Sequence, residues 1–116
     1  MRTRPARPVQ RARQAFAGEV WWGETPDEKG RPFLVLTRDD AIPVLRAILV
    51  APVTRTVRGI PTEVPLGHEE GLPAERVATF DNVMTFPKSM LVRRIGTLAP
   101  RRRREPCEAL RAAIDC

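Results

Sequence analysis

The chain has 116 residues, of which 42% are hydrophobic, so it has room for one domain with a compact core. No apolar run approaches the roughly 18 residues of a membrane-spanning helix, and no export signal is present, which predicts a cytoplasmic protein. The net charge of +6 is concentrated at the ends, in Arg2, Arg4, Arg7, Arg11 and Arg13 and in the run 101–104. Removing these nine charges leaves −3, so basic ends, which favour nucleic acid, flank a mildly acidic body.

Residues 1–16 combine arginine, proline and alanine without acidic residues or clean periodicity. We interpret them as a flexible basic arm that precedes a domain over 17–116. Two alternatives are a misassigned start codon and an organelle transit peptide. Pro5 and Pro8 disfavour the transit peptide because they break an amphipathic helix.

The body of the chain predicts about six short strands. Alternating or continuous apolar residues place them at 18–22, 32–37, 48–53, 62–66, 79–84 and 94–98. Polar residues over 23–30 predict a loop, and residues 86–91 predict one short helical turn. Pro52 favours an edge or bulge position for its strand.

Only the end of the chain has convincing helical spacing. Pro106, Leu110 and Ile114 fall four residues apart, and Cys107 and Ala113 flank this stripe. Short strands followed by one helix predict a mainly β fold, in which a small antiparallel barrel carries a C-terminal α-helix.

Residues for metal or nucleophilic chemistry are few. Asp39 and Asp40 are neighbours, which face opposite sides of a strand, and they indicate a turn rather than a ligand pair. His68 is the only histidine, so a ribonuclease mechanism with two histidines is excluded. The sequence has no glycine-rich phosphate loop, nucleophile elbow or C-x-x-C motif. We therefore expect neither a metal nor a cofactor.

Two strand ends contain the most informative residues. Arg31 opens the run R-P-F-L-V-L-T, and Thr54 ends the run A-P-V-T about 20 residues later. In this order they resemble the MazF/PemK family of toxin endoribonucleases, whose best-attested catalytic positions are such an arginine and such a threonine. The resemblance extends over about 18–98 and is strongest to actinobacterial, mycobacterial-like members. It also includes G-E-V-W at 18–21, T-R-T-V-R-G-I-P-T-E-V at 54–64, D-N-V at 81–83 and R-I-G at 94–96.

The resemblance implies a homodimeric SH3-like barrel of the MazF/CcdB/PemK type. It implies a toxin that cuts single-stranded RNA sequence-specifically without a metal, inhibits translation and growth, and is silenced by a cognate acidic antitoxin. Messenger RNA is the expected substrate, with transfer or ribosomal RNA as alternatives. Arg31 and Thr54 are the implied catalytic residues, and Arg55, Arg58 and Asn82 are candidate RNA contacts. The loop over 25–29 departs from the family pattern, so base preference does not transfer.

Arginine and threonine suffice for much of this chemistry because RNA contains its own nucleophile. Attack of the 2′-OH on the neighbouring phosphorus leaves a 2′,3′-cyclic phosphate and a 5′-hydroxyl. The forked donors of a guanidinium match the equatorial oxygens of the transition state, and a threonine hydroxyl can donate to the same oxygens. Arginine is a poor general base because its pKa exceeds about 12. The sequence therefore does not identify the group that accepts the 2′-OH proton.

Two other functions suit the same architecture. A CcdB-like topoisomerase poison would not need Arg31 and Thr54, and a noncatalytic nucleic-acid-binding barrel is favoured only by the charge. Arg31 alone is also consistent with a solvated charge at a strand start. Arg55, Arg58 and Asn82 are equally consistent with surface charge or turn chemistry. Trp21 and Trp22 face opposite sides of their strand, so we expect one in the core or a dimer interface and the other to be a candidate for base stacking.

Overall fold

The fold, seen in a computed structural model that describes residues 15–115, is a curled antiparallel sheet closed by one α-helix. The strands are β1 (Glu19–Thr25), β2 (Glu28–Val35), β3 (Ala47–Thr54), β4 (Glu63–Leu66), β5 (Arg76–Thr79), β6 (Met84–Pro87) and β7 (Leu91–Thr97), and helix α1 spans Arg104–Ala113. Their order in the sheet is β4-β5-β3-β2-β1-β7, and β6 pairs with β3. The predicted mainly β fold with a C-terminal helix is confirmed.

Two local predictions differ from the structure. The loop predicted over 23–30 is mostly a hairpin, because β1 continues to Thr25 and β2 begins at Glu28. The strand predicted over 79–84 is interrupted by a 3-10 turn at Phe80–Asn82, which separates β5 from β6. The Asp81 carboxylate accepts a 2.6 Å hydrogen bond from the Thr62 hydroxyl, which ties this turn to the segment just before β4. The short helical turn is confirmed at Lys88–Met90.

The sequence predicts an edge or bulge position for Pro52, and the edge alternative is wrong because β3 lies between β2 and β5 in the sheet. On one side Pro52 pairs with Phe33 of β2. On the other side β3 changes partner, because its last pair with β6 is Val50–Met84 and its first pair with β5 is at Val53. The missing N–H of Pro52 therefore falls where one ladder has ended and the next has not begun.

Both faces of the sheet are buried against separate apolar clusters. Alternation along β2 and β3 directs Leu34 and Ala51 to one face, where they meet Val20 and the helix residue Ala109. The other face packs around Trp21 and contains Phe33, Val35, Ile48, Val50 and Phe86. Trp21 is completely buried by its own chain, so the prediction that one of the two tryptophans lies in the core is confirmed.

Ala15 and Phe16 are the described part of the arm predicted over 1–16. Ala15 is buried in the cluster around Trp21, and the Phe16 N–H donates a 2.9 Å hydrogen bond to Glu19. The rest of the predicted arm lies outside the described residues.

Helix α1 packs on the sheet through Ala109, with Leu110 and Ala113 beside it. The predicted stripe is wrong at Ile114, which is 50% exposed. The helix ends at Ala113, and Ile114 adopts an extended backbone that takes it away from the packed face.

Arg102 links the start of this helix to the segment after β4 through ion pairs and a hydrogen bond. Its guanidinium contacts the buried carboxylate of Glu70 at 3.1 Å and that of Glu105 at 2.6 Å, and it donates to the Pro65 carbonyl at 2.6 Å. Hydrogen bonding to Arg102 lowers the pKa of Glu105 below its ordinary value of about 4.5, although burial opposes this shift. The neighbouring pair Arg101–Glu69 is exposed on both sides.

Arg102→Ala is expected to lower the free energy of unfolding by about 3 kcal/mol, because it removes the charge partner of buried Glu70. Arg101→Ala is the matched control and should cost under about 0.5 kcal/mol, because its ion pair is solvated. Urea denaturation followed by circular dichroism measures both values. Equal losses in the two variants would contradict the structural role of Arg102.

Acid should remove the contribution of Glu105. Because folding lowers the pKa of this carboxyl, its stabilisation is complete above the unfolded pKa and is lost as pH falls through the lower, folded pKa. We therefore expect the difference in unfolding free energy between the wild type and Glu105→Gln to shrink as pH falls below about 4. Urea titrations of both proteins across this range measure it, and a difference that grows on acidification would contradict the shift.

Candidate functional site

Arg31 and Thr54 lie just beyond the last pair of the ladder between β2 and β3. The ladder pairs Phe33 with Pro52, and continuing this register by two residues aligns Arg31 with Thr54 on the same face. Thr54 ends β3 and is half-buried, as predicted for a strand end. Arg31 is exposed and lies inside β2 rather than at its start, because the hairpin extends β2 back to Glu28. Two residues that are distant in sequence thus become cross-strand neighbours.

Two cavities share these residues as a common wall. The first, which we name the Trp22 cavity, has a volume of about 630 Å³ and is lined by residues including Trp22, Arg31, Thr54, Arg55, Arg76 and Arg93. The second, the Asn82 cavity, has about 620 Å³ and is lined by residues including Asp27, Arg31, Thr54, Arg58, Asn82 and Phe86. The structure therefore brings all five predicted site residues to one surface.

The loop after Thr54 is held by hydrogen bonds from its backbone N–H groups to side-chain oxygens. Thr54 Oγ1 accepts a 3.2 Å hydrogen bond from the Thr56 N–H. The carboxylate of Glu63 accepts from the N–H groups of Arg58 and Gly59 at 3.0 and 2.9 Å, and Gly59 has a positive φ of 69°. The glutamate of the T-R-T-V-R-G-I-P-T-E-V run therefore fixes the turn from which the Arg58 side chain extends.

Asn82 is positioned by the turn that interrupts the predicted strand. The Phe80 N–H donates to the Thr62 carbonyl at 2.9 Å, and the Thr62 hydroxyl donates to Asp81. Phe80 is buried, which anchors the turn and leaves Asn82 exposed in its cavity.

Arg76, Arg93 and Trp22 line the Trp22 cavity, and the two arginines were not among the predicted site residues. The R-R pair at 93–94 indicated that its two arginines serve different faces of the sheet, because neighbours on a strand face opposite sides. Arg94 forms a 2.9 Å ion pair with buried Glu19, whereas Arg93 pairs with Trp22 across β1 and β7. Arg76 reaches the cavity only through the partner change of β3, which no local pattern indicates.

The Trp22 cavity is strongly cationic. Four arginines line it, namely Arg31, Arg55, Arg76 and Arg93, and the described residues of its wall include no carboxylate. Within residues 15–115, none of these four forms an ion pair. Unneutralised guanidinium groups that converge on one concave surface attract an anionic ligand.

The described part of the chain contains no cluster of three His, Cys, Asp or Glu side chains arranged to hold a metal ion. Among the helices described, none is long and apolar enough to cross a membrane.

The curled sheet and its cationic surface define a small β protein suited to a polyanion, and sequence comparison gives the family. The profile of the PemK-like, MazF-like toxins of type II toxin–antitoxin systems matches residues 16–114. The chain therefore belongs to this toxin family. It is 45% identical to a protein named probable endoribonuclease MazF5 of Mycobacterium tuberculosis, over 85% of this chain and 92% of that protein. It is 42% identical to probable endoribonuclease MazF2 of the same species, over 85% and 97% of the two chains.

Solved structures share the fold. The Mycobacterium tuberculosis toxin MazF-mt6 superposes with a TM-score of 0.77 at 37% identity, covering 84% of this chain and 99% of that one. A mycobacterial endoribonuclease in complex with its cognate antitoxin superposes with a TM-score of 0.75 over 85% and 93% of the two chains. At 24% identity, the second likeness concerns the fold alone.

Proposed function

We propose that this toxin is a sequence-specific, metal-independent endoribonuclease that cuts single-stranded RNA, with messenger RNA as its first substrate. The observation that carries the proposal is that Arg31 and Thr54 both line each of the two cavities and so form the wall between them. The names of the mycobacterial relatives support the same activity.

In the proposed mechanism, Arg31 and Thr54 bind the scissile phosphate on the wall. The 2′-OH loses its proton and attacks phosphorus, the bond to the 5′ oxygen breaks and that oxygen takes up a proton, so the products are a 2′,3′-cyclic phosphate and a 5′-hydroxyl. Arg31 donates to the equatorial oxygens as their negative charge grows. Thr54 Oγ1 already accepts from the Thr56 N–H, which leaves its own hydrogen available for a phosphate oxygen.

Arg55, Arg58 and Asn82 bind the RNA on either side of this phosphate. Arg55 lines the Trp22 cavity, and Arg58 and Asn82 line the Asn82 cavity, so a strand that crosses the wall meets polar groups in both. Arginine provides phosphate contacts, and asparagine can read a base edge. The arginines of the predicted arm, residues 1–16, increase association with RNA electrostatically, and the catalytic domain predicted over 17–116 also packs Ala15 into its core.

The protein acts in the cytoplasm as a homodimer that an acidic antitoxin inhibits. Exposed Val57 and Ile60 lie in the same loop as Arg55 and Arg58. This mixture of apolar and cationic side chains suits a segment that presents carboxylates and apolar anchors. Such a segment covers the surface that RNA needs.

Arg31→Ala is expected to lower the cleavage rate by about 10²–10³-fold, because it removes the donor that faces the developing charge. Thr54→Val should lose similar or somewhat less activity. Both should fold, since the two residues lie outside the apolar clusters. The measurement is single-turnover cleavage of single-stranded RNA in EDTA, with mapping of the new ends.

Arg38→Ala is the control for this series, because exposed Arg38 pairs with Asp40 and lines neither cavity. It should cut at the wild-type rate. Wild-type cleavage by a folded Arg31→Ala protein would remove the proposed mechanism.

RNA and antitoxin should compete for one surface, because both are anionic and need the same arginines. Charge reversal at Arg58 is therefore expected to weaken both, each by at least about tenfold. Fluorescence titration with an uncleavable RNA and with the purified antitoxin measures the two affinities. Simultaneous binding of both ligands at undiminished affinity would refute the shared surface.

A further inference from the structure

Trp22 and Arg93 form a fixed pair in the Trp22 cavity. The guanidinium carbon of Arg93 lies 5.8 Å from the centroid of the indole, within the range of a cation–π contact. Gly30 permits this position, because a Cβ at Gly30 would overlap with the Trp22 Nε1 atom. Half-buried Trp22 thus lies against the backbone of β2 while exposed Arg93 lies over its ring.

The walls of the cavity combine two chemistries. Trp22, Leu72, Pro73 and Ile95 supply apolar surface, and four arginines supply positive charge without a carboxylate among the described lining residues. Arg76 is oriented by a 2.9 Å hydrogen bond from its Nη1 to the Glu75 carbonyl. The volume of about 630 Å³ is in the range of small-molecule sites. A nucleotide, with its flat base and anionic phosphate, matches both features.

The position of the cavity relates it to the scissile phosphate. A phosphate bound at Arg31 and Thr54 has one nucleoside on its 5′ side and one on its 3′ side. The two cavities share these residues, so each cavity is adjacent to one flank of the cleavage point. An indole or a guanidinium plane can stack any base, and its surroundings then favour some bases over others.

We propose that Trp22 and Arg93 form a base-stacking subsite for one nucleotide that flanks the scissile phosphate, and that Arg76 neutralises the phosphate of that nucleotide. This inference rests on the proposed endoribonuclease function and assigns specificity residues to it. The subsite selects the flanking base and fixes the strand in line for attack.

The experiment uses abasic RNA. An oligonucleotide that the wild type cuts at one mapped position is prepared in versions that lack a single base, one at each position around the cut. In the wild type, removing one flanking base should lower kcat/KM by roughly 5- to 100-fold, the range for one stacked base. In Trp22→Leu and in Arg93→Ala, the same abasic substitution should lower kcat/KM by less than about twofold, because these variants already lack part of the stacking subsite.

Conservative variants separate stacking from charge and from folding. Trp22→Phe retains an aromatic face, so removal of the flanking base from the RNA should still cause most of the wild-type loss of kcat/KM. Arg93→Lys retains the charge but loses the planar group. It should therefore keep the salt dependence of cleavage, whereas removal of the flanking base should lower its kcat/KM much less than in the wild type. Exposed Arg93 lies outside the apolar clusters, so its variants still test the subsite if Trp22→Leu fails to fold.

An undiminished abasic penalty in folded Trp22→Leu or Arg93→Ala would overturn the subsite. So would a wild-type enzyme for which no flanking base matters. Neither result affects the proposed function, which depends on loss of cleavage in Arg31→Ala and on the chemistry of the new ends.

Discussion

The register between β2 and β3 determines the site, because its continuation beyond the Phe33–Pro52 pair aligns Arg31 with Thr54. A slip of one residue would turn every side chain of one strand to the other face. Core packing prevents that slip. Phe33 and Val35 fill one cluster while Leu34 and Ala51 fill the other, so an exchange would put residues of the wrong size into both. The apolar core thus sets the geometry of two polar residues that it does not contain.

A partly buried ion pair between Glu19 of β1 and Arg94 of β7 likewise fixes which way neighbouring side chains point. The carboxylate of Glu19 is completely buried and accepts hydrogen bonds from the Phe16 N–H, the Trp21 indole and Arg94. Trp21 pairs with Arg94, and their next neighbours Trp22 and Arg93 pair on the opposite face. The interaction that holds Arg94 inward therefore also directs Arg93 toward Trp22. Removal of one partner of such a pair costs stability, and here it would also disturb the cavity wall.

The sequence predicted the strands where apolar residues run together, as in β2 and β3, and resemblance to a family identified Arg31 and Thr54. It failed where pairing between distant segments decides the outcome. β1 and β2 extend through the predicted loop at 23–30 because each supplies the other's hydrogen bonds. Pro52 is tolerated in a central strand because β3 changes partner beside it. Arg76 and Arg93 enter the site through two long-range pairings, that of β5 with β3 and that of β7 with β1.

The cationic cavity does not coincide with the arginine-rich stretch of the sequence. The run of arginines at 101–104 is the most basic stretch within the described residues, yet Arg101 and Arg102 are engaged by Glu69, Glu70 and Glu105. The arginines that line the Trp22 cavity are isolated or paired in sequence, and no carboxylate neutralises them within the described fold. Free positive charge, which attracts an anion, is what remains after intramolecular pairing. A mildly acidic body can therefore present a cationic cavity, because carboxylates such as Glu69, Glu70 and Glu105 pair with arginines outside the cavity.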